Sequence, residues 1–515
     1  MNRKHITFAL LLVVVSIALC ACSSGGVPLA PTAPTLTLPP ASLSFVAPIG
    51  DAALEYTSDA TLYLPRHDGT RLSALTAQVS FSAARPHAES LVRALLSHPG
   101  DGMASPVGGN VKLSLSGANP VEVSRDVATV NLAASALQLD RRFLYTACQA
   151  IANTLTELPE INYVNVLVAD RPVGLDIANT LPMGTLGRNV AQDPGTVYEQ
   201  LLSRRVEANE NAAEKTLSAS VTLYFPLSGS PGLVSEVRAC SFNSQVFSDM
   251  VTVLLQELAS GPQQNIDSPA LPLLADLLTA PPALAYSEAS GGQIVTLHFA
   301  HNLDDMLETY GLTRAQSMAS LCYTLCTYFP SIAGVQVTIG GEPVSTLLLT
   351  EDFQSTVTFE QSVQRRADFA PLLYDYCTLF FADHAGQKLV RTERPVPYYR
   401  CNNPRSLLVE LAKGPKSYDS VQNLTGIMPE EAILDADVLG LALSGNTLLV
   451  NFAPAFKAVG EGLDGQRDRL LAYAMVNTLC CDERMRSVCF FLSGSQFEGF
   501  SGQIYWSGLF YPMGS

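Results

Sequence analysis

The chain has 515 residues and a formal net charge of −16, from 31 Lys and Arg against 47 Asp and Glu. Because 47% of the residues are hydrophobic and only 15% are charged, a chain that is disordered throughout is excluded. An acidic chain without a basic run would repel phosphates, which argues against nucleic acid as a partner.

The first 22 residues have the layout of a bacterial lipoprotein signal. Arg3 and Lys4 supply a positive start, and residues 8–19 form an apolar core that is short for a membrane-spanning helix. Leu19 lies three residues before Cys22, and a small residue directly precedes that cysteine. This resembles the lipobox, in which a cysteine receives diacylglycerol. We therefore predict lipidation, including palmitate, at Cys22; the alternative is an ordinary cleaved signal with incidental cysteines.

A Pro-rich stretch follows the predicted lipidation site. Residues 22–55 contain six prolines, almost no charge and no helical period, which is typical of an extended tether. Acyl chains on Cys22 would hold the mature protein on a membrane. The predicted location is therefore the extracytoplasmic face of the cell membrane, with the folded part held off the bilayer.

The rest of the chain repeats one pattern three times. Each copy opens with Thr-Leu-aromatic, turns, and continues in a second extended run, and together these predict a β-hairpin. The openings begin at Thr61, Thr222 and Thr378. The second runs cover residues 72–79, 233–240 and 389–396.

Two helices and two further strands complete each copy. Leucines at helical spacing predict a short helix, which ends before Pro99, Pro262 and Pro415 in the three copies. A third strand, a longer helix with one apolar stripe and a last strand follow. The third strands are predicted at 128–133, 294–300 and 447–453, and the last strands at 164–168, 335–339 and 488–492. The longer helices end near the Thr-Leu pairs at 154–155, 324–325 and 478–479.

These landmarks keep their order at near-constant spacing, which predicts an α+β protein with three tandem small domains. Each domain would be β–β–α–β–α–β, a 3–4-stranded antiparallel or mixed sheet with two helices on one face. We name the domains copy 1, copy 2 and copy 3. The predicted segments are a signal peptide (residues 1–21), a tether (22–55), copy 1 (56–176), a linker (177–216), copy 2 (217–347), a linker (348–372), copy 3 (373–500) and a tail (501–515). Trp506, the only tryptophan of the chain, lies in the tail, which we predict to be either an edge strand or a docking tail.

The repeated motifs resemble the GerM domain family of sporulation and spore germination. Copy 2 carries Leu-Tyr-Phe-Pro at 223–226, Leu-Ala-Ser-Gly-Pro at 258–262 and Thr-Leu-Cys-Thr-Tyr-Phe-Pro at 324–330. Copy 3 keeps Leu-Ala-Lys-Gly-Pro at 411–415 but has Cys480-Cys481 where the family has Phe-Pro. The resemblance implies a ring-building-motif type of fold and a membrane lipoprotein of spore-forming bacteria that takes part in an assembly. It implies neither an enzyme nor a cofactor.

The search for chemical sites gives few candidates. His298 and His301, with Asp304 and Asp305 nearby, could offer metal ligands, but residues three apart on a strand point to opposite faces. Solvated groups at a strand end are the simpler interpretation, and we predict no metal site.

The cysteines after Cys22 number nine, and they indicate buried thiols rather than a disulfide framework. Cys322 and Cys326 lie four apart on a predicted helix, a geometry that can chelate, but burial explains them more simply. Cys480 and Cys481 could form a strained vicinal disulfide. One or two bridges elsewhere remain open.

No catalytic motif is present, and we predict no catalytic residues. His67 and His384 lie in equivalent hairpin turns, but copy 2 has no histidine there, and the run from Gly229 to Gly232 is a turn rather than a nucleophile elbow. A catalytic role shared by the copies would need the residue in each copy.

The sequence therefore predicts a lipid-anchored scaffold, in sporulation or germination, that binds other extracytoplasmic proteins or itself. No small-molecule substrate and no nucleic acid are expected. The first alternative is a solute-binding lipoprotein of a transporter, which would need two lobes with hinge strands. A cell-wall enzyme is the second alternative.

Overall fold

The computed structural model describes residues 45–67, 71–210, 216–264, 266–350, 355–482 and 484–513. The predicted signal peptide, Cys22 and most of the predicted tether lie outside these residues. Residues 46–515 belong to one compact unit. The three copies are therefore packed on one another, and the fold class predicted from the sequence is confirmed.

Each copy begins with an antiparallel hairpin that forms a two-stranded sheet of its own. The hairpins pair Glu55–Pro65 with Leu72–Ser82, Leu217–Pro226 with Leu233–Phe242, and Tyr374–Ala382 with Leu389–Pro397. We refer to them as hairpins 1, 2 and 3. The sequence predicted both strands of each hairpin, and the structure adds that the hairpin is separate from the main sheet.

The second layer of each copy consists of the short and the long helix predicted from the sequence. The short helices are His87–Ser97, Phe247–Ala259 and Pro404–Ala412, and the long helices are Arg141–Leu155, Arg314–Tyr328 and Gly465–Leu479. Side chains of Asp140, Thr313 and Asp464 cap the long helices by accepting a backbone N–H of the first turn. Asn403 caps the third short helix, with Pro404 at its first position.

The third layer of each copy is a mixed sheet. Its two central strands run parallel because the long helix connects them as a crossover. These central pairs are Val127–Leu132 with Tyr163–Val168, Gly292–Phe299 with Ile332–Ile339, and Thr447–Phe452 with Ser487–Leu492. We refer to the mixed sheets as sheets 1, 2 and 3. The sequence predicted all six central strands.

Short edge elements, which the periodicity did not reveal, extend the mixed sheets. An antiparallel strand precedes each central pair: Val121–Ser124, Ala283–Ser287 and Val438–Ser444. Two-residue strands follow or flank the pairs: Arg171–Pro172, Leu186–Gly187, Glu342–Pro343, Val363–Gln364 and Ser495–Gln496.

Further elements lie in the linkers and loops. The first predicted linker contains the helix Pro194–Glu210, and the second joins copy 2 through the hairpin Thr346–Thr350 with Ser355–Thr358. Two more helices are Leu303–Thr309 and Phe456–Val459. The 3₁₀ turns are Ala134–Gln138, Leu274–Leu277, Glu360–Ser362, Arg366–Leu372, Tyr398–Arg400 and Asp435–Asp437.

The end of the predicted tether is a strand, which corrects the sequence interpretation there. Gly50–Ala53 runs parallel to Val438–Ser444 and adds a strand to sheet 3. Asp51 forms an ion pair with Arg405 at 2.7 Å and accepts the backbone N–H of Leu441. The absence of apolar periodicity at these four residues concealed a strand that is held by backbone pairing and one carboxylate.

The described part of the tail, residues 501–513, packs into copy 3. Trp506 is fully buried, and its indole N–H donates to Asp468 on the long helix at 2.8 Å. Phe510 forms an antiparallel bridge with Val488 at the edge of sheet 3. The tail therefore acts partly as an edge strand and completes the core of its own copy.

Candidate interaction surfaces

The histidines singled out from the sequence do not share a ligand site. His298 Nδ1 lies 2.7 Å from Thr338 Oγ1 on the neighbouring strand, whereas His301 packs beside Gly340. Asp304 forms an ion pair with Arg314. Among the described residues, no group of three or more His, Cys, Asp or Glu side chains could hold a metal ion.

The predicted burial of the helical cysteine pair is confirmed. Cys322 and Cys326 are both buried, with their Sγ atoms 4.0 Å apart, and burial raises the pKa of the Cys322 thiol. Cys480 is half-buried and its pKa is raised to about 12, also by burial. Thiols with raised pKa values are poor nucleophiles at neutral pH.

Other sequence candidates fall at turns or outside the described residues. His67 donates from Nε2 to the Asp101 carbonyl at 3.1 Å, and His384 is exposed in its hairpin turn. Cys22 lies outside the described part of the chain. Within that part, no helix combines the length and apolar character needed to cross a bilayer.

The most extensive polar contacts occur between copies 1 and 2. The outer face of hairpin 2 lies on the outer face of sheet 1, the face opposite the helices. Asn165 Nδ2 donates to Thr222 Oγ1 at 2.9 Å, and Thr185 Oγ1 lies 2.8 Å from the same hydroxyl. Ser235 donates its backbone N–H to Ser124 Oγ at 3.0 Å and its hydroxyl to the Ser124 carbonyl at 2.6 Å. All these groups except Thr185 are buried, so the docking is a closed, hydrogen-bonded contact.

A buried arginine from the second linker reinforces this contact. Arg366 stacks over the Tyr323 ring, with its guanidinium 4.4 Å from the ring centroid, and forms an ion pair with Glu122 of copy 1. The same guanidinium donates to Thr327 of copy 2. One side chain thus joins the linker to both copies.

Copy 3 contacts each of the other two copies. Ser124 Oγ donates to the Tyr374 carbonyl at 2.8 Å, and the Arg125 backbone N–H donates to Asp375 Oδ1 at 2.9 Å. On the copy 2 side, a Cβ on Gly232 would lie 2.3 Å from the Tyr374 ring, so the approach requires glycine.

A charged cluster lies at the second contact between copies 1 and 3. His87 Nε2 is 3.3 Å from Asp482 Oδ2, and Arg484 donates to the Tyr56 hydroxyl at 2.5 Å. Burial opposes ionisation of Asp482, but His87 and Arg484 outweigh it and lower the pKa of that carboxyl. His87, Asp482 and Arg484 line a cavity of about 520 Å³ between the two copies.

Comparison with known proteins identifies the repeated unit. A family model described as "Germane: Sporulation and spore germination" matches residues 61–174, 222–345 and 378–497. The chain belongs to the Germane family. The matched segments begin at the three Thr-Leu-aromatic openings, so the resemblance inferred from the sequence, with three tandem copies, is confirmed.

Solved structures of related proteins match parts of the chain. The tandem GerMN domains of the sporulation protein GerM from Bacillus subtilis are 18% identical and align over 60% of this chain and 99% of that chain, with a TM-score of 0.21. A putative lipoprotein from Clostridium perfringens is 18% identical over 27% of this chain and 91% of its own, with a TM-score of 0.18. The first GerMN domain of the same GerM is 14% identical over 26% and 96%, with a TM-score of 0.19. No curated protein matches.

Sequence reasoning did not identify the residues that join the copies. These are single polar residues within apolar strands, where they fit the ordinary alternation of polar and apolar side chains: Thr222, Asn165, Ser124 and Ser235. A usable signal exists in Val127–Leu132, where every residue is buried although Thr129 and Asn131 are polar. A strand buried on both faces must be covered on both sides.

Proposed function

We propose that this Germane-family chain is a lipid-anchored extracytoplasmic scaffold that acts in sporulation or germination by binding proteins rather than by catalysis. The observation that carries the proposal is the docking of copy 2 on copy 1 through a buried hydrogen-bonded face. It indicates that the repeated unit has a surface suited to binding another such unit. The solute-binding alternative gains no support from a body built of three hairpin-led copies.

The proposed anchor at Cys22 is tested by mass spectrometry of the protein from its native host. We expect the mature amino end to be an acylated cysteine at position 22 and the protein to partition with membranes. Cys22→Ala should release it, whereas Cys20→Ala should leave acylation and partitioning unchanged. An unmodified amino end in the unaltered protein contradicts the anchor.

The proposed process is tested separately by deleting the gene in the native host. We expect fewer heat-resistant spores or slower germination, and complementation by the full-length chain should restore both. Normal spore yield and germination in the deletion strain contradict the sporulation role.

A further inference from the structure

The docking of copy 2 on copy 1 joins two faces, and each belongs to a repeated element. We call the outer face of hairpin 2, represented by Thr222, the donor face, and the outer face of sheet 1, represented by Thr129 and Asn165, the acceptor face. These names state which element is laid on which, and not the direction of a hydrogen bond. These three side chains are only 1%, 3% and 5% exposed.

The equivalent acceptor face of copy 2 is partly open: Ile294 and Gly292 at one end are buried, the latter beside Arg171 of copy 1, and the rest of the face carries no hairpin of the described chain. Strand pairing places Thr129 opposite Asn165 in sheet 1 and Thr296 opposite Gln336 in sheet 2, so the threonine and the amide recur at the same positions. In copy 2 both are half-exposed, as are the neighbouring His298 and Thr338. Gln336 Nε2 donates to the Gln361 carbonyl at 3.3 Å, which leaves its second amide hydrogen and its oxygen for a partner. Sheet 2 therefore presents the threonine and the amide of the acceptor without a hairpin on them.

The equivalent donor face of copy 1 is also open. Thr61 occupies the position of Thr222 in the shared Thr-Leu-Tyr opening and is paired with Thr76 across hairpin 1. Thr61 is half-exposed, and Thr76, Asp59 and Gln78 on the same face are exposed. The inner face of the hairpin packs in the core of copy 1, so of its two faces the outer one is available to a partner.

We propose that the outer face of hairpin 1 binds the outer face of sheet 2 in a second copy of this chain. Thr61 then meets Gln336 as Thr222 meets Asn165, and a hydroxyl–amide hydrogen bond is formed again. Both faces are polar, which explains why they can remain in water in a single chain.

Two differences make the contact between chains weaker than the contact within the chain. Ser124 and Ser235, which exchange two hydrogen bonds in the internal docking, correspond to Ala285 in sheet 2 and Ala74 in hairpin 1, so those bonds are not reproduced. Glu122, which pairs with Arg366 in the internal docking, corresponds to Ala283 in copy 2, so that ion pair is not reproduced. Association between chains therefore depends on concentration. Here the inference rests on the proposed function, because anchoring chains in one membrane would raise their local concentration.

The inferred contact joins two different faces, so it is heterologous and leaves one donor and one acceptor unused in every dimer. The test is sedimentation velocity of the full-length chain in detergent over a concentration series. We expect species larger than one chain that grow with concentration. Thr61→Arg, which blocks the donor, and Gln336→Arg, which blocks the acceptor, should each weaken association at least about tenfold, as expected for loss of a contact worth about 1.4 kcal/mol.

A mixture of the two blocked chains gives the decisive result. One intact donor and one intact acceptor remain in the mixture, so a dimer of one chain of each kind should form and nothing larger. Thr76→Arg is a second donor variant at an exposed site, in case Thr61→Arg lowers the melting temperature. Thr378→Arg, at the same position of hairpin 3, is the matched control and should associate like the unaltered chain.

Any of the following outcomes would overturn the inference: an unaltered chain that stays monomeric at about 100 μM, well above the micromolar range of weak specific association; blocked variants that associate normally; or a mixture that stays monomeric. A dimer in each blocked variant alone would indicate a symmetric contact instead and would also overturn it. None of these results bears on acylation of Cys22 or on spore formation, so failure here is distinguishable from failure of the proposed function.

Discussion

A buried threonine near the end of each long helix joins the layers of its copy. Thr154, Thr324 and Thr478 are each fully buried, and each hydroxyl oxygen accepts a backbone N–H from the hairpin of the same copy. The donors are Tyr63, Tyr224 and Phe380, at 3.0, 3.3 and 3.2 Å. The hairpin cannot pair with the mixed sheet, so this bond gives one of its buried N–H groups a partner.

Thr324→Val should lower the free energy of unfolding by about 1–3 kcal/mol, because it leaves the Tyr224 N–H buried without an acceptor. Thr324→Ser keeps the hydroxyl and should cost less. The measurement is denaturant unfolding, with exposed Thr309→Val as the control, which should change stability by less than about 0.5 kcal/mol. Equal stability of the valine and serine variants would contradict the role of the hydroxyl.

Asp375 makes the contact between copies 1 and 3 sensitive to pH. Burial raises its pKa to about 7, although it accepts backbone N–H groups from Arg125 and Tyr376. The folded state therefore holds this proton more tightly than the unfolded state, and the contribution of Asp375 to stability declines as pH rises from about 4 to about 7.

Asp375→Asn keeps an acceptor but cannot ionise, so its advantage in melting temperature over the unaltered chain should be larger at pH 8 than at pH 4.5. Melting curves at both pH values in one ionic strength check this. Asp383→Asn in an exposed turn, where backbone N–H groups lower the pKa, should show no such gain at pH 8. An Asp375→Asn difference that does not change with pH would contradict the assignment.

Among single residues, the sequence predicted positions better than roles. The sequence predicts that the long helices end near the Thr-Leu pairs, which holds in copies 1 and 3, whereas the helix of copy 2 continues to Tyr328. The bond of each threonine to the hairpin links residues about 90 to 100 positions apart, which no local periodicity reports. The burial of Cys322 followed from its place on an apolar stripe, because that signal is local.

Among the elements, the short helices of copies 2 and 3 each have a buried arginine at the carboxyl end. Arg394 donates to the carbonyls of Glu410 and Gly414 at 2.8 and 2.6 Å and is paired with buried Asp419. Arg238 likewise donates to the carbonyls of Glu257 and Gly261. A cation satisfies the last carbonyls of a helix and interacts favourably with its dipole.

Arg394→Gln should destabilise the protein by about 3–5 kcal/mol, because Asp419 stays buried without its partner. Exposed Arg391→Gln on the same strand is the matched control and should change stability by less than about 0.5 kcal/mol. Thermal and denaturant unfolding measure both. If the two variants melted alike, the buried pair would have no structural importance.

Strongly periodic elements could be predicted from the sequence. Short elements could not, and neither could the 17-residue helix Pro194–Glu210, which lacks a clear apolar period. Each hairpin strand, central strand and helix of the copies carries its own apolar pattern. Val121–Ser124 and Gly50–Ala53 span only four residues each, and pairing partners rather than internal pattern make them strands. The same limit applies to Val363–Gln364, which continues sheet 2 from within a predicted linker.

On the scale of the whole molecule, the sequence predicted three copies but not their mutual packing. Arg366 lies in a predicted linker and Glu122 in an unpredicted strand, so nothing local indicated that they meet.

Arg366→Met should lower the free energy of unfolding by about 3 kcal/mol, because Glu122 would be left largely buried and unpaired.

Combining Arg366→Met with Glu122→Gln should recover part of this loss, because the second change removes the unpaired charge. Hydrogen exchange in Val121–Ser124 and in hairpin 2 would report whether copies 1 and 2 loosen together. Additive losses in the double variant would contradict a direct pairing.

The strand Gly50–Ala53 has a mechanical consequence. Because it precedes hairpin 1 but pairs with the last copy, a pulling force applied at residue 46 is borne by copy 3 before it reaches copy 1. The parallel strand pair is loaded in shear, and the ion pair between Asp51 and Arg405 resists sliding. A force applied at that point would load copy 1 and copy 3 together rather than separate the copies one after another.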